Sequence, residues 1–470
     1  MRLFDDGMKY NIQNSVGSFR IISWQAIRII FIFCLLDAEF SDGGIVMKVL
    51  VIGSGGREHA ICWKLSQSRS VDKIYCCPGN AGIAEIAECI SVNQNDFHAL
   101  LDFVKYEWID LTIVGPEDPL SRGIVDLFEK EGRRILGPTK AAAQLESSKV
   151  FCKDLLKSHG IPTAEYKVFT SYFHAEEHVR FKGAPIVIKA DGLAAGKGVF
   201  IATTVEEALD ALRVIMKDKA FGEAGERVII EECLQGEEAS YMAFTDGKTI
   251  VPMVSCQDHK RIFDNDKGLN TGGMGAYSPA PVITPEIEKI VMTKILEPTV
   301  KALRSEGILY KGILYAGLMI HNGVPSVLEY NCRLGDPETQ PVLSRLKTDF
   351  MEIAMAIAEE RLADVTIEWM PDPAVCVVIS SGGYPGNYRK GDVITGIDEA
   401  NMLEGVQVFH AGTAFKEDRI VTSGGRVLGV TAIGKDIETA KARAYEAVQK
   451  IHFKGMHYRT DIADRALKRP

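Results

Sequence analysis

Val327-Leu-Glu-Tyr-Asn-Cys-Arg-Leu-Gly-Asp-Pro-Glu338 decides how this chain is read. Val327 to Asn331 alternate as a strand does, so Glu329 and Asn331 point to one face. A carboxylate and an amide oxygen side by side suit a hard cation, Mg²⁺ or Mn²⁺, that keeps some water and binds phosphate oxygens. Arg333 follows at once, a rigid cationic fork that matches a carboxylate or a phosphate. Gly335-Asp336-Pro337 then turns the chain. Taken alone, the segment also reads as a strand edge with ordinary polar groups, so its surroundings decide.

Just upstream, Tyr315 to Ile320 forms a hairpin with this strand, turned at Asn322-Gly323. Further upstream, Pro185-Ile-Val-Ile-Lys189, Asp191-Gly-Leu-Ala-Ala-Gly-Lys-Gly198 and Val199-Phe-Ile-Ala202 read as strand, glycine loop and strand. A P-loop needs one more residue between its glycines, a hydroxyl after the lysine and a helix next; none is present. A flexible hairpin over nucleotide phosphates fits better, with Lys189 reaching the phosphates from the strand end. Glu231-Glu-Cys-Leu-Gln-Gly-Glu-Glu238 joins two further strands. Its backbone from Glu232 to Leu234 can pair with an adenine edge while Glu238 takes ribose hydroxyls, although an acidic surface loop is the commoner case. Gln257-Asp-His-Lys-Arg261 and Asn270-Thr-Gly-Gly-Met-Gly-Ala-Tyr-Ser-Pro279 are polar, glycine-rich candidates for substrate loops. His259 reads as a structural hydrogen-bonder rather than a general base.

From Met47 onward the chain alternates strand and helix, which predicts a doubly wound parallel sheet with functional loops at its strand C-termini. Gly53-Ser-Gly-Gly-Arg-Glu-His59 follows the first strand. It is not a dinucleotide fingerprint: Glu58 stands at the third glycine, and Cys76 and Cys77 stand where the ribose-binding acid belongs. A loop that offers amides to a phosphosugar is favoured over NAD. After a polar, proline-bearing break at 362–373, strands and one helix from Ile437 to about Ile451 predict a small C-terminal α+β domain.

The bulk numbers exclude several classes. With 470 residues the chain has room for about three domains. A net charge of −9 without a dense basic block disfavours nucleic acid and anionic membrane as partners. Ten cysteines are scattered without zinc spacing, as expected for free thiols in a reducing, cytoplasmic setting. Residues 1–46 do not match the rest. The apolar run Ala26–Leu36 is too short to span a bilayer, and Asp37, Glu39 and Asp42 oppose a signal-peptide cleavage site. We read these residues as an upstream extension, with the working protein beginning at Met47.

Taken together, the segments VLVIGSGGREHA, CPGNAG, LTIVGPEDPL, PIVIKADGLAAGKGV, VIIEECLQGEEAS, QDHKR, NTGGMGAYSPAP and LEYNCRLGDPETQP resemble the ATP-grasp superfamily, and within it the glycinamide ribonucleotide synthetase family. The resemblance runs from Met47 to about Ala463; Leu269 departs from it, standing where the family usually has proline. It implies an ATP-grasp domain over 148–368, with a lid subdomain at about 165–235, between an N-terminal domain over 47–147 and a C-terminal domain over 369–470. It further implies an enzyme, expected to be a monomer, that uses ATP to ligate glycine to 5-phosphoribosylamine through a glycyl phosphate.

The residue roles it implies are as follows. Glu329 and Asn331 hold the metal. Lys149, Lys189, Gly192, Gly196, Lys197, Gly198, Glu231, Glu232, Leu234 and Glu238 surround the nucleotide. Arg333, Asp258 and Lys260 act at the reacting groups, Asp258 by orienting an amine. Gly55, Gly56, Arg57, Gly79, Asn80, Gly115, Pro116 and Glu117 line the phosphoribosyl pocket, and Asn270, Thr271, Gly272, Gly273 and Asp336 complete the substrate site. Two other classes stay open at this point: an NAD-dependent oxidoreductase, and a non-catalytic nucleotide-binding protein.

Overall fold

A computed structural model of the chain describes residues 46–193 and 198–469. The expected extension and two loop residues expected at the nucleotide, Gly196 and Lys197, lie outside the described residues. Met47–Gly53 is apolar on both faces, the pattern of a central parallel strand. It pairs in parallel with Val71–Pro78 and with Leu111–Val114. Glu88–Cys89 and Ile135–Leu136 close the two edges of this five-stranded sheet. Chain order reverses on either side of Met47–Gly53, which places a crevice beyond the C-terminal ends of the two strands that flank the reversal. The loops that open there are Gly53–Arg57 and Gly115–Glu117. Helix Gly56–Leu65 starts directly from the first of them.

Two four-stranded sheets follow. In one, Tyr166–Phe169, Val228–Glu232, Ile186–Ala190 and Val199–Ala202 pair antiparallel. Helices Tyr172–Lys182 and Val205–Leu212 cover it through Ala175, Val179, Ala208 and Leu212. In the other, Glu237–Thr245 and Gly312–His321 form the middle, Ile250–Pro252 one edge and Val324–Asn331 the other. The turn at Asn322-Gly323 has φ values of 50° and 79°, as the sequence pair predicts. A register shift between Gly317 and Leu318 leaves Leu328 unpaired, a bulge beside Glu329.

The C-terminal sheet departs from chain order. Ala374–Ser380, Arg426–Ile433 and Val406–His410 are its expected strands, covered by helix Ile437–Val448. The helix ends before the expected Ile451. The same sheet also takes Gln257–Asp258 and Gly275–Ser278 from the stretch assigned to the ATP-grasp domain. The segment expected to be substrate loops is therefore part strand. It carries a further hairpin, Arg261–Phe263 with Lys267–Asn270. These strands are too short to show alternation, and their partner around Val375–Val377 is distant in sequence. No described helix is long and apolar enough to cross a membrane.

Candidate active site

Glu329 and Asn331 flank buried Tyr330 and share the open face of their strand. Among the described residues, no hydrogen bond or ion pair takes up either side chain. Burial would raise the Glu329 carboxyl, but Lys260, then Lys189, Lys149 and Arg333, hold it below its usual range. An ionised carboxylate and a free amide oxygen on one face fit a hard divalent cation. Among the described residues no cluster of three or more His, Cys, Asp or Glu converges there. Such an ion would draw its remaining ligands from water and phosphate.

The lysines come from separate elements. Lys149 opens helix Lys149–Ser158, capped by Ser148, and donates to Gly192 O at 2.9 Å. Asp191 fixes this corner: its carboxylate accepts from Ser148 Oγ and Val150 N and pairs with Arg227. Lys189 donates to Leu328 O at 3.1 Å, through the bulge. It shares Glu231 Oε2 with Lys153, each at 3.0 Å, in a triad almost without solvent contact. Glu231 Oε1 is buried there with no partner among the described residues. Lys153, which sequence reasoning missed, also donates to Thr163 Oγ1. Lys260 Nζ lies 2.8 Å from Glu238, whose pull keeps the ammonium firmly charged. Glu232 accepts from Glu165 N and is exposed, while Leu234 sits half-buried in the following turn. Gly198 is buried at the end of the glycine loop.

Arg333 is not a free fork. Its Nε lies 3.1 Å from Glu117 and its Nη2 2.9 Å from Glu146. Against burial, Arg333 and Arg57 hold Glu117 down at about 2, whereas burial leaves Glu146 raised. Arg333 thus ties the expected metal strand to the Gly115-Pro116-Glu117 loop of the parallel sheet.

That loop and the Gly53–Arg57 loop are packed around Glu58. Its carboxylate accepts from Gly55 N and from Arg57 Nε, both at 2.6 Å. A Cβ on Gly53 or Gly115 would collide with the Glu58 side chain. In the sequence Glu58 marks only the break in a dinucleotide motif. It is the capping-box residue of its helix, three positions past Gly55, and that spacing was the available signal. Glu58 fills the place of the third glycine of a dinucleotide loop, which argues against NAD. Arg57 also donates to Leu334 O. Asn80, beside Gly79, spends its amide on Ser54 O and His410 O, which ties this turn to the first loop and to the C-terminal unit.

Asp258, Asp336 and the Asn270–Gly273 loop meet at the other side. Burial and Glu338 push the Asp258 carboxyl well above its usual range. Asp336 accepts from Gln340 and Arg426, and Arg426 also donates to Gly272 O and to Asp336 O. Gln340 borders Gly56, and Asp336 lies beside Gly55 and Gly56, so Asp336 adjoins the Gly53–Arg57 loop as well. Nothing near Arg426 in sequence announces this role. Thr271 donates to Lys260 O, and Asn270 pairs with Arg261. His259 corrects an expectation: both ring nitrogens are buried without a partner among the described residues, and burial lowers it to about 3. The ring packs against Tyr277 instead.

This fold is shared with biotin carboxylases. The Campylobacter jejuni enzyme superposes with a TM-score of 0.68 at 14% identity, covering 92% of this chain and 97% of that one. At that identity the likeness shows the fold alone; the ATP-grasp class is given by the family match. The phosphoribosylglycinamide synthetase family matches with its N domain over residues 47–146, its ATP-grasp domain over 147–339 and its C domain over 374–465. Phosphoribosylamine–glycine ligases from Vibrio vulnificus and Escherichia coli are each 53% identical, covering 90% of this chain and 99% of theirs. The crystal structure of that enzyme from Thermotoga maritima gives a TM-score of 0.78 at 35% identity, covering 88% of this chain and 100% of that one. The chain belongs to the phosphoribosylamine–glycine ligase (phosphoribosylglycinamide synthetase) family.

Proposed function

We propose that the chain ligates glycine to 5-phosphoribosylamine at the expense of ATP, through a glycyl phosphate, giving glycinamide ribonucleotide, ADP and phosphate. The observation that carries the reading is one strand carboxylate, Glu329, held below its usual range against burial by the charges of Lys260, Lys189, Lys149 and Arg333. That arrangement suits a polyphosphate whose charge must be spread while one phosphoryl moves.

A carboxylate resists attack by an amine. A glycine carboxylate oxygen first attacks the γ-phosphorus and ADP departs. The amine nitrogen of phosphoribosylamine then attacks the acyl carbon, phosphate leaves, and the nitrogen gives up a proton. Glu329 and Asn331 would hold Mg²⁺ or Mn²⁺, which when bound neutralises the phosphate oxygens. Lys149 and Lys189 contact the phosphates under the 191–198 loop. The turn after Glu232, with Glu238, takes adenine and ribose. Burial and Glu338 push the Asp258 carboxyl up, and an arriving ammonium would favour its ionised form and be held in place. The Gly55–Arg57 and Gly115–Glu117 loops receive the phosphoribosyl group, with Arg333 linking them to the reacting centre. The domain divisions at 47–147, 148–368 and 369–470 and a monomeric, cytoplasmic enzyme remain our reading; light scattering tests the monomer.

The test of the intermediate is positional isotope exchange in ATP labelled at its βγ-bridging oxygen. Scrambling that needs glycine but not phosphoribosylamine supports glycyl phosphate. Net ADP release should require both substrates; equal release without them would refute the reading.

A further inference from the structure

The hairpin Arg261–Asn270 stands on Lys260 and Thr271, which close its base through Thr271 N and Oγ1 on Lys260 O at 2.8 and 2.9 Å. Its outer end is largely exposed, and Asn265 and Asp266 both take left-handed φ values, 58° and 53°. Consecutive left-handed residues other than glycine persist only where their surroundings fix them. The fixing comes from the far end of the chain. Arg459 is only 1% exposed. Its Nε and Nη2 bind Asp461 bidentately, each at 2.7 Å. Its Nη1 reaches Asp266 at 3.0 Å and Arg261 O at 3.1 Å. Asn265 N donates to Asp461 at 2.8 Å, and Thr460 N donates to Asp264 at 2.9 Å. His457 meets Ile262 O.

We propose that Arg459, with Asp461 and Asp266, is a positioning residue for the ligation: a clamp by which the C-terminal segment sets the hairpin and, through its base, the place of Lys260 and its ion pair with Glu238. A buried guanidinium with one bidentate carboxylate and two further acceptors is a rigid joint. Lys260 Nζ lies 2.8 Å from Glu238, so a shift at the hairpin base moves this ammonium and its partner together. Small displacements there reduce turnover more than they reduce affinity for distant parts of a substrate. The proposal rests on the reading that Lys260 acts at the reacting groups.

Asp266 is partly exposed, so Asp266→Ala should fold even where Arg459→Lys does not. We expect Asp266→Ala to lower kcat about tenfold while KM for ATP changes less than about twofold, and amides in 262–270 to exchange with solvent at least tenfold faster. Asp266→Glu should restore most of the kcat. Wild-type kcat in Asp266→Ala despite faster exchange, or unchanged exchange, overturns the clamp. Loss of activity only in proportion to unfolded protein also overturns it. Lys260→Ala, assayed alongside, separates the two ideas. An inactive Lys260→Ala with a fully active Asp266→Ala refutes the clamp alone; an active Lys260→Ala refutes the reading beneath it.

Discussion

At the scale of the residue, Glu329 and Arg333 show how one short segment carries two kinds of work. Glu329 is held below its usual range by neighbouring cations and, among the described residues, no hydrogen bond or ion pair takes up its side chain. Glu329→Ala should therefore leave Tm within a few degrees and abolish turnover, measured as ADP release at saturating Mg²⁺; near-normal turnover would remove it from the metal site. Arg333 is different, because Glu117 and Glu146 both depend on it. Arg333→Lys should keep ATP binding yet cut kcat on the order of 10²-fold, the scale of losing one charge stabiliser. Arg333→Ala should in addition destabilise the fold by about 3 kcal/mol, as when one partner of a buried pair is removed. Glu117 falls from 4.5 to about 2 in the fold, so its contribution is complete above about pH 4.5 and lost as pH falls toward 2. The Arg333→Ala variant should show a flatter stability profile across that window, read by urea unfolding.

At the scale of the element, loops are shaped by what packs under them. Gly115 follows strand Leu111–Val114 at ordinary φ, so it is glycine for lack of space: a Cβ would strike Glu58. Gly115→Ala should displace Glu58 from Gly55 and Arg57, raise KM for phosphoribosylamine at least tenfold, and cost about 1–3 kcal/mol by overpacking. An unchanged KM would detach this loop from the phosphoribosyl group. In the glycine loop, Gly198→Val should raise KM for ATP much more than KM for glycine. Equal effects would mean that the loop does not cover the nucleotide.

At the scale of the whole molecule, three histidines couple the fold to pH. Burial lowers His59 and His259 to about 3 and His410 to about 4. Unfolded, each titrates near 6.5. Between these values the unfolded chain binds more protons, so stability falls as pH drops from about 6.5 to 4. Unfolding near pH 5 should take up protons at all three sites, a slope approaching about 4 kcal/mol per pH unit at most. His410→Gln should reduce that slope. His59 and His410 sit where the N-terminal and C-terminal units meet, with His410 N donating to His59 Nδ1, so acid should loosen this junction early.

Much of this was written locally. Met47–Gly53 announces a buried parallel strand because both faces are apolar, and Val327–Asn331 with its Asn-Gly turn announces a hairpin, because period and turn chemistry depend only on neighbouring residues. Glu329 and Asn331 share a face for the same reason. Tertiary structure decided what needs distant partners. It placed Gln257–Asp258 and Gly275–Ser278 in the C-terminal sheet, folded Glu58 into the loop that its own glycines leave open, and left the His259 ring without a hydrogen-bond partner among the described residues. It also brought Arg426 and Arg459 back to loops far behind them in the chain. A strand's alternation is set by backbone geometry over a few residues, whereas the partner of a buried charge is set by whichever segment the finished packing brings within about 3 Å.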